Sequence, residues 1–241
     1  MNHDLQGKTA IITGASRGIG RAIALELGSR GMRLGLLARS EKQLEETAVE
    51  VSKLGGEALT GVCDLGDLGA VEASLEQLIA GLTSVDVLVN NAGMFHESAL
   101  IDQELDSWEE VLRVNLTAPM LICRQVLPLM MAAGGGRIIN IASTSAIQGY
   151  HYQSAYCASK HGLLGLARCL ALEVKQHDIH IHTLCPGGVD TELITGTQLG
   201  RRLAGQPLIA PQDIAAAVSF LISQPNNIDI SELVIRRFIA K

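Results

Sequence analysis

Tyr156 and Lys160 stand four residues apart in AYCASK, residues 155–160, and Ser143 closes the apolar run GRIINIAS at 136–143. Four residues make one helical turn, so the phenol and the ammonium share a face if this segment is helical. A free tyrosine titrates near pH ~10, too high for efficient proton transfer near neutrality. A lysine cation beside it favours the phenolate and lowers that value. A serine hydroxyl at the same place donates to an oxygen on which charge develops. Together the three side chains fit proton transfer to or from a substrate oxygen. A Y-x-x-x-K pair alone is more often a half-buried tyrosine beside a solvated lysine, so the rest of the chain must decide.

A second group of residues suits a nucleotide. The run KTAII at 8–12 leads into TGASRGIG, Thr13 to Gly20, and then into a helical pattern. Gly14, Gly18 and Gly20 permit a tight turn, close phosphate approach and close helix–strand packing, with Ser16, Arg17 and Ile19 between them. The helix that follows aims free N–H groups and its positive end at a pyrophosphate. The spacing is G-x-x-x-G-x-G, and a lone glycine cluster is a weak signal. Its place between strand and helix is what favours a nucleotide. At the end of the second apolar run, LLARS, an acid would bind the ribose 2′-hydroxyl of NAD. Ala38 takes that position, and Arg39 and Ser40 follow it. Arg17 and Arg39 flanking the ribose suit a 2′-phosphate, so the expected cofactor is NADP(H).

These residues need elements to carry them. KTAII (8–12), RLGLLA (33–38), EALTGV (57–62), DVLVN (86–90), GRIINIAS (136–143), IHIHTLC (179–185) and ELVIRR (232–237) read as strands. Several lack polar alternation, as do strands buried on both faces of a parallel sheet. Helical patterns lie between them at 18–30, 41–54, 67–82, 106–132, 154–176 and 211–223. The repeated β-then-α order predicts an α/β fold, a doubly wound parallel sheet of about seven strands with helices on both faces. No linker interrupts it, so residues 1–241 are read as one dinucleotide-binding and catalytic domain. Ligands of such sheets bind beyond the carboxyl ends of the strands. Gly14, Arg39, Asp64, the 90–93 turn, Ser143 and Pro186 all follow predicted strands, so they can line one crevice.

Composition narrows the classes. At 47% hydrophobic and 18% charged, the 241-residue chain has ample material for one large core. A net charge of −6 gives no general attraction to nucleic acid or to an anionic membrane. No run of eighteen apolar residues predicts a membrane span, and MNHDLQGKTAIITG does not read as a secretory signal. The five cysteines form no C-x-x-C pair and are read as small core residues of a cytoplasmic protein. His180 and His182 alternate on a strand, but no acidic or cysteine cluster completes a metal set, and no metal is expected.

In the order and spacing of TGASRGIG, Asp64, NNAG (90–93), Asn115, Ser143, YCASK and PGG (186–188), the sequence resembles the short-chain dehydrogenase/reductase family in its single-domain form. The resemblance covers roughly the first 190 residues. It implies a catalytic tetrad of Asn115, Ser143, Tyr156 and Lys160, with Tyr156 as acid–base group and Lys160 also binding the nicotinamide ribose. It implies that Asp64, with Leu65 beside it, binds the adenine amino group, and that Asn91, Ala92 and Gly93 form the turn beneath adenine. Pro186, Gly187, Val189 and Thr191 would hold the nicotinamide amide and neighbouring phosphates. Asn115 precedes Pro119 by four residues; because proline has no N–H, a helix there leaves the Asn115 carbonyl unpaired and prone to kink away. The family role for that carbonyl is to hold a water connected to Lys160.

The expected function is hydride transfer between NADP(H) and a small ketone, aldehyde or secondary alcohol. The enzymatic alternative is a 3-oxoacyl carrier-protein reductase; the non-enzymatic one is an NADPH-binding sensor or scaffold. His96, Tyr150, His151, Tyr152 and Gln153 flank the site as candidate substrate contacts, and Arg201 and Arg202 lie in the expected substrate loop. SELVIRRFIAK replaces the glycine-rich ending of many relatives. By resemblance, a homodimer or homotetramer forms on the 106–132 and 154–176 helices.

Overall fold

The computed structural model describes residues 5–238. Seven strands form one sheet: β1 (Thr9–Thr13), β2 (Arg33–Ala38), β3 (Glu57–Val62), β4 (Val87–Asn90), β5 (Gly136–Ile141), β6 (Ile179–Pro186) and β7 (Glu232–Ile235). Their spatial order is β3-β2-β1-β4-β5-β6-β7, and every neighbouring pair is parallel. The order reverses between β1 and β4, so the crevice expected at the carboxyl ends opens there.

The interior strands are apolar throughout because both of their faces are covered. Ala10 and Ile12 of β1, with Val87 and Val89 of β4, pack on one side beneath α1 (Gly18–Ser29), α2 (Glu41–Lys53) and a C-terminal helix over Pro211–Ile222. Ile11 and Leu88 point the other way, into a core shared with α3 (Leu68–Leu82), α5 (Ala118–Ala133) and α6 (Ser154–Val174). The rim strands β3 and β7 are largely exposed.

The long helix expected at 106–132 runs from Leu105 to Ala133 and is interrupted. An α-helix, α4 (Leu105–Leu112), gives way to a π-helical turn at Arg113–Thr117 before α5 begins. There the Ala118 N–H reaches back five residues to the Arg113 carbonyl. Pro119, which has no N–H to return to Asn115, accounts for the widening. By length and composition this run is apolar enough to cross a bilayer. Its Ile122, Val126 and Met130 stripe packs against the sheet.

Four readings are corrected. β5 stops at Ile141, so Ala142 and Ser143 lie beyond it. β7 stops at Ile235, and Arg236 and Arg237 leave the sheet instead of extending it. A short helix unmarked in the sequence pattern, α7 (Gln198–Leu203), forms in the expected substrate loop, ahead of α8 (Pro211–Ile222). The reading of all cysteines as core residues also fails at Cys169, which is exposed on α6; the other four are buried.

Candidate active site

Strand ends and loops enclose a cleft of about 920 Å³ along the carboxyl edge of the sheet. Its floor is built by the glycine loop. Gly14 adopts φ +66°, and a Cβ on it would sit 2.9 Å from Ala92 Cα. Gly18 adopts φ +54°. Gly20 does not line the cleft; a Cβ there would overlap the Gly14 carbonyl, so its bareness lets α1 seat against the loop. The 90–93 turn is stapled beneath. Asn91 Nδ2 donates to the Thr13 carbonyl at 2.8 Å, and Thr13 Oγ1 accepts from the Asn91 and Ala92 N–H groups at 2.9 and 3.0 Å. Thr13 is a structural partner that the motif reading passed over.

The adenine end holds Ala38, Arg39, Ser40, Asp64 and Leu65 on one wall. Ser40 caps α2, accepting from the Gln43 N–H, and Asp64 folds the following turn by accepting from the Gly66 N–H at 2.9 Å. Arg39 Nη1 stands 3.9 Å from Asp64 Oδ2. Arg17 reaches across to Glu192 on the loop after β6. Ser16, Ile19, Ala92, Gly93, Pro186, Gly187, Val189 and Thr191 complete the cofactor residues expected along the cleft.

At the other end Ser143, Tyr156 and Lys160 converge on the same space. The first turns of α6 bury Tyr156 and Lys160 to 8% and 3% exposure. Lys160 Nζ donates to the Ile141 carbonyl at 3.0 Å and lies 5.8 Å from the Tyr156 ring centre. Phe95 meets the Tyr156 ring edge-on at 5.0 Å, a contact no motif signalled. Ser143 Oγ accepts from the Ser145 N–H at 3.1 Å, leaving its own proton to aim into the cleft.

Without the charge of an oxidised nicotinamide, burial dominates the electrostatics here. Burial pushes the Tyr156 phenol up to about 12, with the Ser143 hydroxyl drawing it partly back. Burial pulls Lys160 down to about 8. Loss of hydration dominates both shifts, so near pH 7 Tyr156 holds its proton while Lys160 still carries charge.

Asn115 is fully buried and does not line the cleft. Its side chain clamps Met94, accepting from the N–H at 2.8 Å and donating to the carbonyl at 2.9 Å, and also donates to Ser159 Oγ at 3.0 Å. It therefore ties the loop after β4 to α6, two residues of which are Tyr156 and Lys160. Of the suggested substrate contacts, Tyr150 and Gln153 line the cleft; His96, His151 and Tyr152 do not. His180 and His182 stack with rings 6.2 Å apart, and His182 Nδ1 bonds to the Ile230 carbonyl at 2.8 Å.

A family model described as short chain dehydrogenase matches residues 8–201. The chain belongs to the short-chain dehydrogenase/reductase family. Relatives within that family differ in substrate. A 3-oxoacyl-acyl-carrier-protein reductase of Haemophilus influenzae is 37% identical over 225 residues, covering 91% of this chain and 92% of the relative. A D-threitol dehydrogenase of Mycolicibacterium smegmatis is 33% identical over 226 residues, covering 91% of this chain and 87% of the relative. A crystal structure of a metagenomic short-chain oxidoreductase in complex with NADP superposes with TM-score 0.86 at 37% identity, covering 98% of this chain and all of that one. The short-chain dehydrogenase/reductase resemblance seen in the motifs is thereby shown, together with its parallel seven-stranded sheet.

Proposed function

We propose that this oxidoreductase reduces a small ketone or aldehyde with NADPH, and catalyses the reverse oxidation, with Tyr156 as the proton-transfer group. The observation that carries this reading is the buried, protonated Tyr156 facing Ser143 in a cleft continuous with the glycine loop. The cleft fits the cofactor. Gly14, on the cleft floor, has no room for a side chain against Ala92, and the wall that would need an acid for NAD carries Ala38 and Arg39 instead. Arg39 is 71% exposed and its contact to Asp64 is loose. Such a surface pair is worth at most about 1 kcal/mol. Paired charge-assisted bonds to a phosphate are stronger, so Arg39 is free to turn to one. Arg17 is likewise exposed and can exchange Glu192 for the phosphate.

Bound there, NADPH supplies the hydride that reaches the carbonyl carbon. Ser143 donates to the carbonyl oxygen and orients it. Tyr156 transfers its phenolic proton to that oxygen as negative charge builds. Lys160 steadies the resulting phenolate with its ammonium. Asn115 keeps α6 and the Met94 loop in register, and its backbone carbonyl, deprived of a Pro119 donor, would hold a relay water as the family resemblance implies. Phe95 covers one edge of the phenol ring. The testing experiment follows NADPH oxidation across ketones, aldehydes and acyl thioesters; no turnover of any carbonyl would overturn the reading and leave the binding-only alternative.

A carrier-protein substrate is the second reading, favoured by the Haemophilus influenzae relative's activity. The local chemistry weighs against it. Arg201 Nη1 donates to the Gly196 carbonyl at 3.0 Å, and Arg202 pairs with Glu97 at 3.0 Å, so both candidate docking cations serve the loop's own fold. A homo-oligomer on the helix pair is supported by exposed Leu105 at the start of the long helical run, with exposed Leu100 and Ile101 in the short turn ahead of it. The free cysteines and the soluble-type fold fit the cytoplasm.

A further inference from the structure

β7 ends where the chain turns into the cleft. Ile235 is the last residue paired with β6, opposite Pro186, and its carbonyl accepts from the Gly187 N–H at 2.8 Å. Arg236 and Arg237 follow immediately, so the sheet fixes their backbone beside the 186–189 turn, and both line the cleft. Gly188 lies beside Arg237. A Cβ on Gly188 would lie 3.5 Å from Arg237 Nε and 3.2 Å from Leu203. The guanidinium thus sits beside that turn, on the side where Leu203 of α7 approaches it.

The charge on Arg237 is not matched. Three of the cleft's guanidiniums face a carboxylate: Arg17 with Glu192, Arg39 with Asp64, Arg202 with Glu97. Arg237 is half-buried, and its printed bond is to a neutral acceptor, Gln206 Oε1 at 2.8 Å. Among the described residues neither Arg236 nor Arg237 makes an ion pair. Guanidinium stays charged at any working pH and offers a planar fork to a carboxylate or phosphate. In a chain of net charge −6, exposed Arg236 and half-buried Arg237, neither matched by a carboxylate, form a local anion site on the cleft wall.

We propose that the substrate is a carbonyl compound bearing its own carboxylate or similar anionic group, held by Arg237 with Arg236 beside it while the carbonyl lies at Tyr156 and Ser143. This rests on the carbonyl-reductase reading and names its substrate class. The anchor fixes one end of a short substrate, so the distance between anion and carbonyl sets which chain length reacts.

The test uses the full-length protein with NADPH and a ladder of 3-oxobutanoate, 4-oxopentanoate and 5-oxohexanoate, each beside its methyl ester. The expected result is a kcat/KM at least about tenfold higher for the acid than for the ester at one chain length, carried by KM. Arg237→Gln should collapse that ratio to within about twofold, and Arg237→Lys should restore part of it. Equal use of acids and esters by the wild type overturns the inference and leaves the carbonyl-reductase reading standing. A variant that weakens NADPH binding without changing the acid-to-ester ratio also overturns it, because the arginine would then serve the cofactor. If none of the six compounds is reduced, calorimetric binding of the same acids and esters decides. Tighter binding of an acid, lost in Arg237→Gln, supports the anion site; equal binding rejects it.

Discussion

Lys160 Nζ sits 5.8 Å from the centre of the Tyr156 ring, anchored on the Ile141 carbonyl, with the phenol driven up to about 12 and the ammonium down to about 8. On the proposed reading, the reaction's proton is held on this phenol with a cation near it. Removing the proton removes the chemistry. Tyr156→Phe should keep its cofactor affinity and lose at least about a hundredfold in kcat, the scale of a positioned acid. Steady-state rates and NADPH titration by fluorescence check both halves; near-wild-type turnover would reject the role.

The lysine sets a limit on alkaline activity. As pH rises through about 8, Lys160 loses its proton and the phenolate formed in reduction loses its neighbouring cation. The kcat/KM for ketone reduction should therefore fall above that pH, approaching tenfold per unit. A pH profile from 6 to ~10 reads it, and the same limb should vanish from Lys160→Met.

Stability moves the opposite way, and the sign is fixed by linkage. Lys160 titrates near 8 in the fold and at 10.5 when free, so between those values the unfolded chain binds more protons. Stability contributed by this group therefore rises with pH across that window. Below it the buried charge is a standing cost, which Lys160→Met removes. Urea denaturation of both proteins should show the wild type gaining on Lys160→Met from pH 8 to 10; parallel lines would show that burial does not set this titration.

How far the sequence reached follows from what each signal depends on. Ile11, Ile12 and Leu88 were legible as interior strand residues because burial on both faces leaves an apolar run. The interruption at Asn115 was legible because Pro119 lacks an N–H, a local fact of covalent structure. The raised Tyr156 titration was not, since it depends on Phe95 and the loop after β4 excluding water, which no spacing encodes. Arg17 meeting Glu192, 175 residues away, is equally invisible to a motif. Short, polar α7 offered no apolar period from which to read a helix.

Arg17 and Arg39 make a cofactor prediction. NADPH should bind more tightly than NADH, and Arg17→Ala with Arg39→Ala together should weaken NADPH by about tenfold or more while changing NADH by about twofold or less. Titrating both cofactors against wild type and double variant tests it. Equal wild-type affinities would show that Ala38 and Arg39 do not read the 2′-phosphate.

Glu97 fastens α7 over the substrate end. It is 6% exposed, accepts from the Leu199 N–H at 3.1 Å and from Arg202 at 3.0 Å, and no motif marked it. Leu199, Arg202 and Leu203 line the cleft, so the helix it holds is a wall of the site. Bonds to a charged group contribute about 1.5–3 kcal/mol each when well desolvated. Glu97→Ala should raise substrate KM several-fold and speed hydrogen exchange in residues 197–203, with cofactor affinity little changed. Arg202→Ala should reproduce part of the effect. The double variant should be no worse than Glu97→Ala alone, since one interaction cannot be lost twice. Additive losses would show that the two residues act on α7 separately.

The carrier-protein reading offers the last test, and charge decides it. An acidic carrier docks on a basic surface. The strand that leads to Ser143 is preceded by MMAAGGGRI, where Arg137 is 7% exposed and donates inward to the Gln224 carbonyl and to Asn226. On α6, Leu172 is 81% exposed where a docking cation would serve, and Glu173 follows it. Arg202 is turned to Glu97. A short thioester mimic should therefore be reduced with a kcat/KM within about threefold of the same acyl group on its carrier, and raising salt should change the two alike. A carrier advantage of a hundredfold that falls with salt, and falls again in the Arg201→Ala, Arg202→Ala pair, would make the carrier-bound thioester the substrate.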